Sequence, residues 1–210
     1  VSSVDSQTED RARPGYGEGR EALLDATVHV VARRGLRKLT YRAVAEQAGV
    51  THGLVAHYFG SRPALIEQAL VHCLNRSMVA GALEPGTGRV QDFSVSLPAM
   101  VTDNPDDQAF QYELILESRR QPELRSHVDA LYRAYRDAAR RELTRMGLGD
   151  DPALAHLVFA ALDGLVFQQL ALDEAASTER ALEQLRDVLR TLQRTRVNSS
   201  TPSVRKGAPK

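Results

Sequence analysis

The chain has 210 residues, 42% hydrophobic and 26% charged, with 27 Lys and Arg balanced by 27 Asp and Glu. This describes a globular chain of one domain, or of a small module joined to a larger one, and excludes fibrous or low-complexity classes. The single cysteine, Cys73, excludes a disulfide framework and a zinc site built on paired cysteines; no Trp and 5% aromatic residues argue against a stacking platform for single strands.

Helical periodicity dominates and no strand alternation stands out, so the expected class is all-α with about nine helices. Residues 1–20 are polar and lack an apolar export segment, so 1–18 read as a disordered arm of a cytoplasmic protein. A helix over 20–34 carries Leu23, Ala26, Val30 and Val31 on one side and ends at Arg33-Arg34-Gly35. Thr40 caps a short helix to Ala48, with Val44 and Ala45 inward. Gly49-Val50 turns the chain, and Thr51 caps a second short helix to about Tyr58. A further helix opens at Arg62-Pro63 and turns Leu65, Ile66, Leu70 and Cys73 inward.

Pro85, Gly86, Gly88, Pro98 and Pro105 then reduce 84–106 to loops around one short helix. Helical patterns resume over Gln108–Arg120 and from Gln121-Pro122 to Met146, stopping at Gly147. Residues 152–172 are long and apolar enough to span a membrane. His156, Asp163, Gln168 and Gln169 interrupt them, which favours a buried helix. Ser177 opens a last helix with Leu182, Leu185, Leu189 and Leu192 at coiled-coil-like spacing, and 195–210 read as a disordered basic tail.

The neutral total is a cancellation. Residues 33–62 hold six basic side chains and one acid, Glu46; 63–193 carry a net −7, and 194–210 a net +5. Such segregation points to a polyanion partner for the basic part. The two short helices lie within it. Thr51, His52, Gly53, His57 and Tyr58 of the second can face outward while Val55 and Phe59 anchor it, and a helix of that size fits a DNA major groove.

The segment from about Arg20 to Leu70 resembles the DNA-binding domain of TetR-family transcriptional regulators. The resemblance rests on T-Y-R-A-V-A-E-Q-A-G-V-T-H-G from Thr40 and Y-F-G-S-R-P-A-L-I from Tyr58. It implies a homodimer on an inverted-repeat operator of double-stranded DNA, most simply a repressor, released by a small-molecule effector. It puts Thr40 and Arg42 on the DNA backbone and Thr51, His52, Gly53 and Leu54 at the base-facing start of the recognition helix. His57 and Tyr58 fall in an aromatic cluster that packs on phosphates, and Arg62 falls where the family commonly has Lys. Many members carry Tyr where this chain has Ala56, which removes one phosphate contact. The pattern G-L-V-A-H-Y-F is similar to the BetI-like branch, whose namesake responds to choline. The implied division is an arm (1–18), a helix-turn-helix domain (19–62), a ligand-binding and dimerisation domain (63–194) and a tail (195–210).

In the larger domain, a helix apolar all round must be covered all round, so 152–172 and the Leu seam together suggest a four-helix dimer interface. Its candidates are Ala160, Gly164, Phe167, Leu182, Leu185, Leu189 and Leu192. An effector pocket draws on Phe93, Met100, Phe110, Leu114, Tyr135 and Phe159, with Tyr112 and Leu131. Its polar candidates are Glu113, Glu117, His156 and Asp163, with His127 nearby; carboxylates beside tyrosines suit a cation. No serine elbow, phosphate loop or metalloprotease motif occurs, so neither an enzyme nor a cofactor or metal is expected. The alternative reading is a helical protein that binds a small molecule or metal and carries a vestigial helix-turn-helix.

Overall fold

The computed structural model describes residues 16–81, 83 and 86–200, which form nine α-helices joined by loops and tight helical turns, with no strand among the described residues. The all-α class follows from the helical periodicity of the apolar residues. Helix α1 (Tyr16–Arg34) starts inside the stretch expected to be a disordered arm; residues 1–15 lie outside the described residues. Its inner face buries Leu23, Leu24, Val30 and Val31, and the buried Thr27 hydroxyl donates to the Leu23 carbonyl at 2.7 Å. Gly35, at φ 79°, ends the helix with its amide on the Val31 carbonyl.

Helix α2 (Tyr41–Ala48) begins where the Thr40 hydroxyl accepts the Ala43 amide at 3.1 Å. It ends at Gly49, at φ 68° and ψ 30°, and the Val50 amide reaches back to the Ala45 carbonyl at 2.9 Å. That left-handed cap sets the angle to α3 (His52–Phe59), and a side chain at Gly49 would strain it. Thr51 stands at the start of α3 but makes no capping bond. Its expected capping role is therefore not played, and the residue is exposed. Helix α4 (Arg62–Ala80) starts with the Ser61 hydroxyl accepting the Ala64 amide, with Pro63 in its first turn.

The body follows as α5 (Leu97–Asp103), α6 (Pro105–Glu117), α7 (Arg125–Arg145), α8 (Pro152–Leu172) and α9 (Ala175–Ser200). The Asp151 carboxylate accepts the Ala153 and Leu154 amides, both at 3.0 Å, and so fixes the start of α8. Helix α9 continues to Ser200, through the first part of the stretch expected to be a disordered tail; residues 201–210 lie outside the described residues. Its Ala-Ser-Thr-Glu opening and Leu spacing carry the helical pattern past Arg194 without a breaker before Pro202.

Two apolar cores result. One gathers α1–α4 with Phe110 and Leu114 of α6 and Leu131 of α7; the other gathers α5, α7, α8 and α9. Helix α7 therefore belongs to both cores, and Tyr112 of α6 packs half-buried on the second. Helix α8 is the one helix among the described residues long and apolar enough to cross a membrane. It is not covered all round within the subunit. Ala155, Val158, Phe159, Leu162 and Val166 are buried, while Leu157 is 68% and Phe167 51% exposed.

Candidate functional site

Helix α3 is held by its own inner face. Val55 and Phe59 are buried, and the other side leaves Thr51, His52, Gly53 and His57 exposed and Leu54 half-buried. A Cβ on Gly53 would meet nothing within 4 Å, so the helix start is open to an approaching surface. Tyr58 is less free than the sequence suggested. It is half-buried against the first core, its hydroxyl lies beside Gly19 of α1, and its ring meets His57 edge-on at 5.9 Å.

The surrounding cations divide into two groups. Arg42 is exposed, as are Arg34 and Lys38, and these three make no ion pair among the described residues. Arg33 pairs with Asp106 at 2.9 Å and Arg37 with Glu117 at 3.4 Å. Arg62, at the position where the family commonly has Lys, is engaged within the subunit. Its guanidinium donates to the Leu39 carbonyl at 3.2 Å and the Leu36 carbonyl at 2.9 Å, tying the start of α4 to the turn between α1 and α2. The Thr40 hydroxyl accepts the cap bond of α2 and keeps its O–H as a donor.

A small cavity of about 60 Å³ lies in the body between α4, α5, α6, α7 and α8. Four of the ten expected pocket residues line it: Met100, Tyr135, Phe159 and Asp163, together with Tyr112 and Leu131. The other six do not. Phe110 and Leu114 are packed into the first core and Phe93 into the second. Glu113 is half-buried beside Gly35, Glu117 faces Arg37, and His156 is exposed on α8. The sequence reading missed Ser77, Ser94, Gln108, Gln111 and Tyr132. The signal for the two glutamines was available: they are amides at helical spacing on α6, where an apolar-only search passes over them.

The wall is aromatic and hydrogen-bonded. The rings of Tyr135 and Phe159 stack at 5.5 Å, and Tyr132 meets Phe159 edge-on at 5.7 Å. Tyr112 donates to the Asp163 carboxylate at 2.9 Å and Tyr135 to the Gln111 side-chain oxygen at 2.9 Å. The side-chain amides of Gln108 and Gln111 donate to the Ser77 hydroxyl of α4. Burial pushes the Asp163 carboxyl above the usual carboxylate range, against the pull of the Tyr112 hydrogen bond. Asp163 is the one acidic side chain, and no Lys, Arg or His occurs, among the described lining residues.

Helix α6 joins the two sites. One side carries Gln108, Gln111, Tyr112 and Ile115 into the cavity wall. Its first turn carries Asp106, paired with His29 and Arg33 of α1, and Asp107, paired with Arg76 of α4. Arg76 also reaches Asp25 of α1. At its other end Glu117 holds Arg37, and hydrogen bonds from Gln121 and Arg37 keep its carboxyl below the usual range. Cys73 is buried in this junction, and burial pushes its thiol far above the usual range, as for a packing residue. No group of three or more His, Cys, Asp or Glu able to hold a metal occurs among the described residues.

The dimer candidates also divide. Leu182 and Leu189 are buried inside the subunit, and Leu185 and Leu192 pack half-buried on the same core. The Leu seam therefore turns inward, because its spacing serves a partner helix in the same subunit as well as one across a dimer axis. Ala160, Gly164 and Phe167 stay on the outer side of α8.

Comparisons with known proteins follow this division. Residues 23–69 match the family of bacterial regulatory proteins of the tetR type, and residues 88–194 match the tetracyclin repressor-like C-terminal domain. A regulator named BetI from Paraburkholderia phytofirmans is 40% identical over 55 residues, 26% of this chain and only 28% of that relative's length. A BetI of Agrobacterium fabrum is 28% identical over 152 residues, covering 70% of this chain and 74% of the relative. The crystal structure of a TetR-family regulator from a Rhodococcus species superposes with a TM-score of 0.69 at 26% identity, covering 84% of this chain and 99% of that one.

Proposed function

The chain belongs to the TetR family of transcriptional regulators, and from that premise we propose that it is a ligand-responsive repressor, acting in the cytoplasm as a homodimer on a palindromic operator. The observation that carries this is α3: a short helix fixed by Val55 and Phe59 and presenting Thr51, His52 and Gly53, in a segment whose Arg34, Lys38 and Arg42 are exposed and make no ion pair among the described residues. Bases are read by the start of the helix, and the three cations supply the sequence-independent part of the affinity.

The homodimer is proposed to form across the outer side of α8. Leu157, Phe167 and Leu172 are exposed there, and Val188 is exposed on α9. Gly164 supports this reading. A Cβ at that position would meet nothing within 4 Å inside the subunit, so a mid-helix glycine that costs about 1 kcal/mol has no local justification. It gains one if a second helix approaches closely.

The effector is proposed to be a compact organic cation. Tyr112, Tyr132, Tyr135 and Phe159 supply ring faces, and Asp163 supplies the compensating charge. Binding would act through α6, whose wall residues face the effector while Asp106, Asp107 and Glu117 grip α1, α4 and the turn before α2. An effector that favours a different setting of α6 favours a different spacing of the two recognition helices, which is linkage between the sites.

The test is fluorescence anisotropy on an inverted repeat from the flanking DNA and on a scrambled duplex, across a salt series. Affinity should favour the repeat and fall steeply with salt, and Arg42→Ala should lower the salt slope by about one. Equal binding to both duplexes, or a flat salt response, overturns the reading. Leu157→Asp should halve the mass in solution while leaving the subunit folded; an unchanged mass rejects α8 as the interface.

A further inference from the structure

We infer that Ser94 is a ligand-recognition position in the cavity wall, and that the effector presents to it a hydrogen-bonding oxygen, a hydroxyl or carbonyl, set apart from its charged end. This rests on the reading of the cavity as the effector site.

Three buried side-chain polar atoms lack a partner among the described residues: Tyr41 Oη, Ser94 Oγ and Gln169 Oε1. Of these residues only Ser94 lines the cavity. Its neighbours in the wall are already committed, Tyr112 to Asp163, Tyr135 to Gln111, and both glutamine amides to Ser77. A buried hydroxyl without a partner is destabilising and calls for a reason.

The backbone fixes where that hydroxyl sits. Ser94 sits at φ 49°, one of two non-glycine residues with positive φ among the described residues. Asp173, the other, ends a helix, where that conformation is common. Ser94 is the third residue of a turn closed by the Val95 amide on the Asp92 carbonyl at 3.3 Å, with Phe93 at φ −60° and ψ 118°, and a positive φ is what that position of such a turn requires. The conformation is imposed by its surroundings: Phe93 is fully buried, and its carbonyl accepts from the guanidinium of Arg186, itself a buried side chain of α9, at 2.9 Å. The Leu97 amide holds the Ser94 carbonyl at 3.2 Å. Serine offers both a donor and an acceptor, so it accommodates a hydroxyl or a carbonyl.

Three probes separate this proposal from the cation reading on which it rests, each titrated by calorimetry into the full chain without DNA. They are hydroxypropyl-trimethylammonium, butyltrimethylammonium, and the alcohol in which carbon replaces the ammonium nitrogen of the first. The hydroxylated cation should bind roughly fivefold tighter than the butyl cation, as one neutral hydrogen bond provides. Ser94→Ala should erase that preference and leave Tm equal or higher, since it removes an unpartnered hydroxyl.

Equal binding of the two cations to the wild type overturns the Ser94 proposal and leaves the cation reading standing. A neutral alcohol that binds as well as the hydroxylated cation overturns the cation reading and leaves Ser94 standing, provided Ser94→Ala weakens the alcohol. A clear fall in Tm for Ser94→Ala assigns the hydroxyl a structural partner and overturns the proposal. Silence from all three probes overturns both.

Discussion

The α2–α3 end and the α5–α9 body are made of the same material, amphipathic helices ended by Thr, Ser, Asp and Gly caps. They hold their chemistry in opposite ways. On α3 the residues that anchor the helix, Val55 and Phe59, are not those that face outward, Thr51, His52 and Gly53. In the body the same residues do both: Tyr135 packs half-buried on both cores, Phe159 is buried, and each is cavity wall as well. Stability and function can therefore be separated by mutation at one end and are bound together at the other.

The largest expected effect tests the anchoring half of that contrast. Phe59→Ala removes a buried ring on which α3 is seated, and should cost about 3–5 kcal/mol in denaturant unfolding. Duplex binding should fall with it although no outward residue has changed. His52→Ala, on the exposed face, should leave stability within about 0.5 kcal/mol and weaken only duplex binding. Comparable losses of stability in the two variants would end the distinction.

A smaller effect distinguishes two arginines that look alike in sequence. Arg62→Ala strips the Leu36 and Leu39 carbonyls of a charged donor and should cost about 1–3 kcal/mol. Arg42→Ala should cost nothing measurable in stability, because its side chain is exposed and unpaired. Salt-dependent anisotropy then separates the causes: the slope drops for Arg42→Ala and holds for Arg62→Ala. A dropped slope for Arg62→Ala would return that residue to the phosphate-contacting set.

These contrasts mark how far the sequence could be read. Local chemistry was legible. Gly49 needed its left-handed turn, the apolar run over 152–172 became α8, and Val55 and Phe59 fell on the one face of α3 that could be inner. What depends on partners distant in sequence was not legible. Arg62 is tied to carbonyls more than 20 residues away. The cavity wall draws on five helices, so apolar residues such as Phe93, Phe110 and Leu114 could not be told from core before the helices were set together. The Leu seam of α9 failed for a related reason: its period announces a neighbouring helix without saying whose.

The smallest expected effect comes from Asp163, where the body's coupling of stability to function takes a pH-dependent form. Burial raises its carboxyl above the usual range, and Tyr112 only partly offsets this. The folded chain thus holds the Asp163 proton more tightly than the unfolded chain does. The resulting stabilisation is complete below the unfolded value of about 3.9 and is lost as pH rises through the raised folded value. At neutral pH the charged carboxylate is a net cost that an amide of the same shape avoids, while its carbonyl still accepts the Tyr112 hydroxyl. Asp163→Asn should therefore raise Tm by a few degrees at neutral pH, with the gain vanishing in acid. The same change should weaken butyltrimethylammonium binding, since the wall loses its one carboxylate. A lower Tm at neutral pH would mean that the Tyr112 bond outweighs burial, and Asp163 would then be a structural residue, not a destabilised group kept for its charge. A higher Tm with weaker cation binding would fix the contrast at one residue: His52 on α3 trades nothing for its function, whereas Asp163 trades stability for charge.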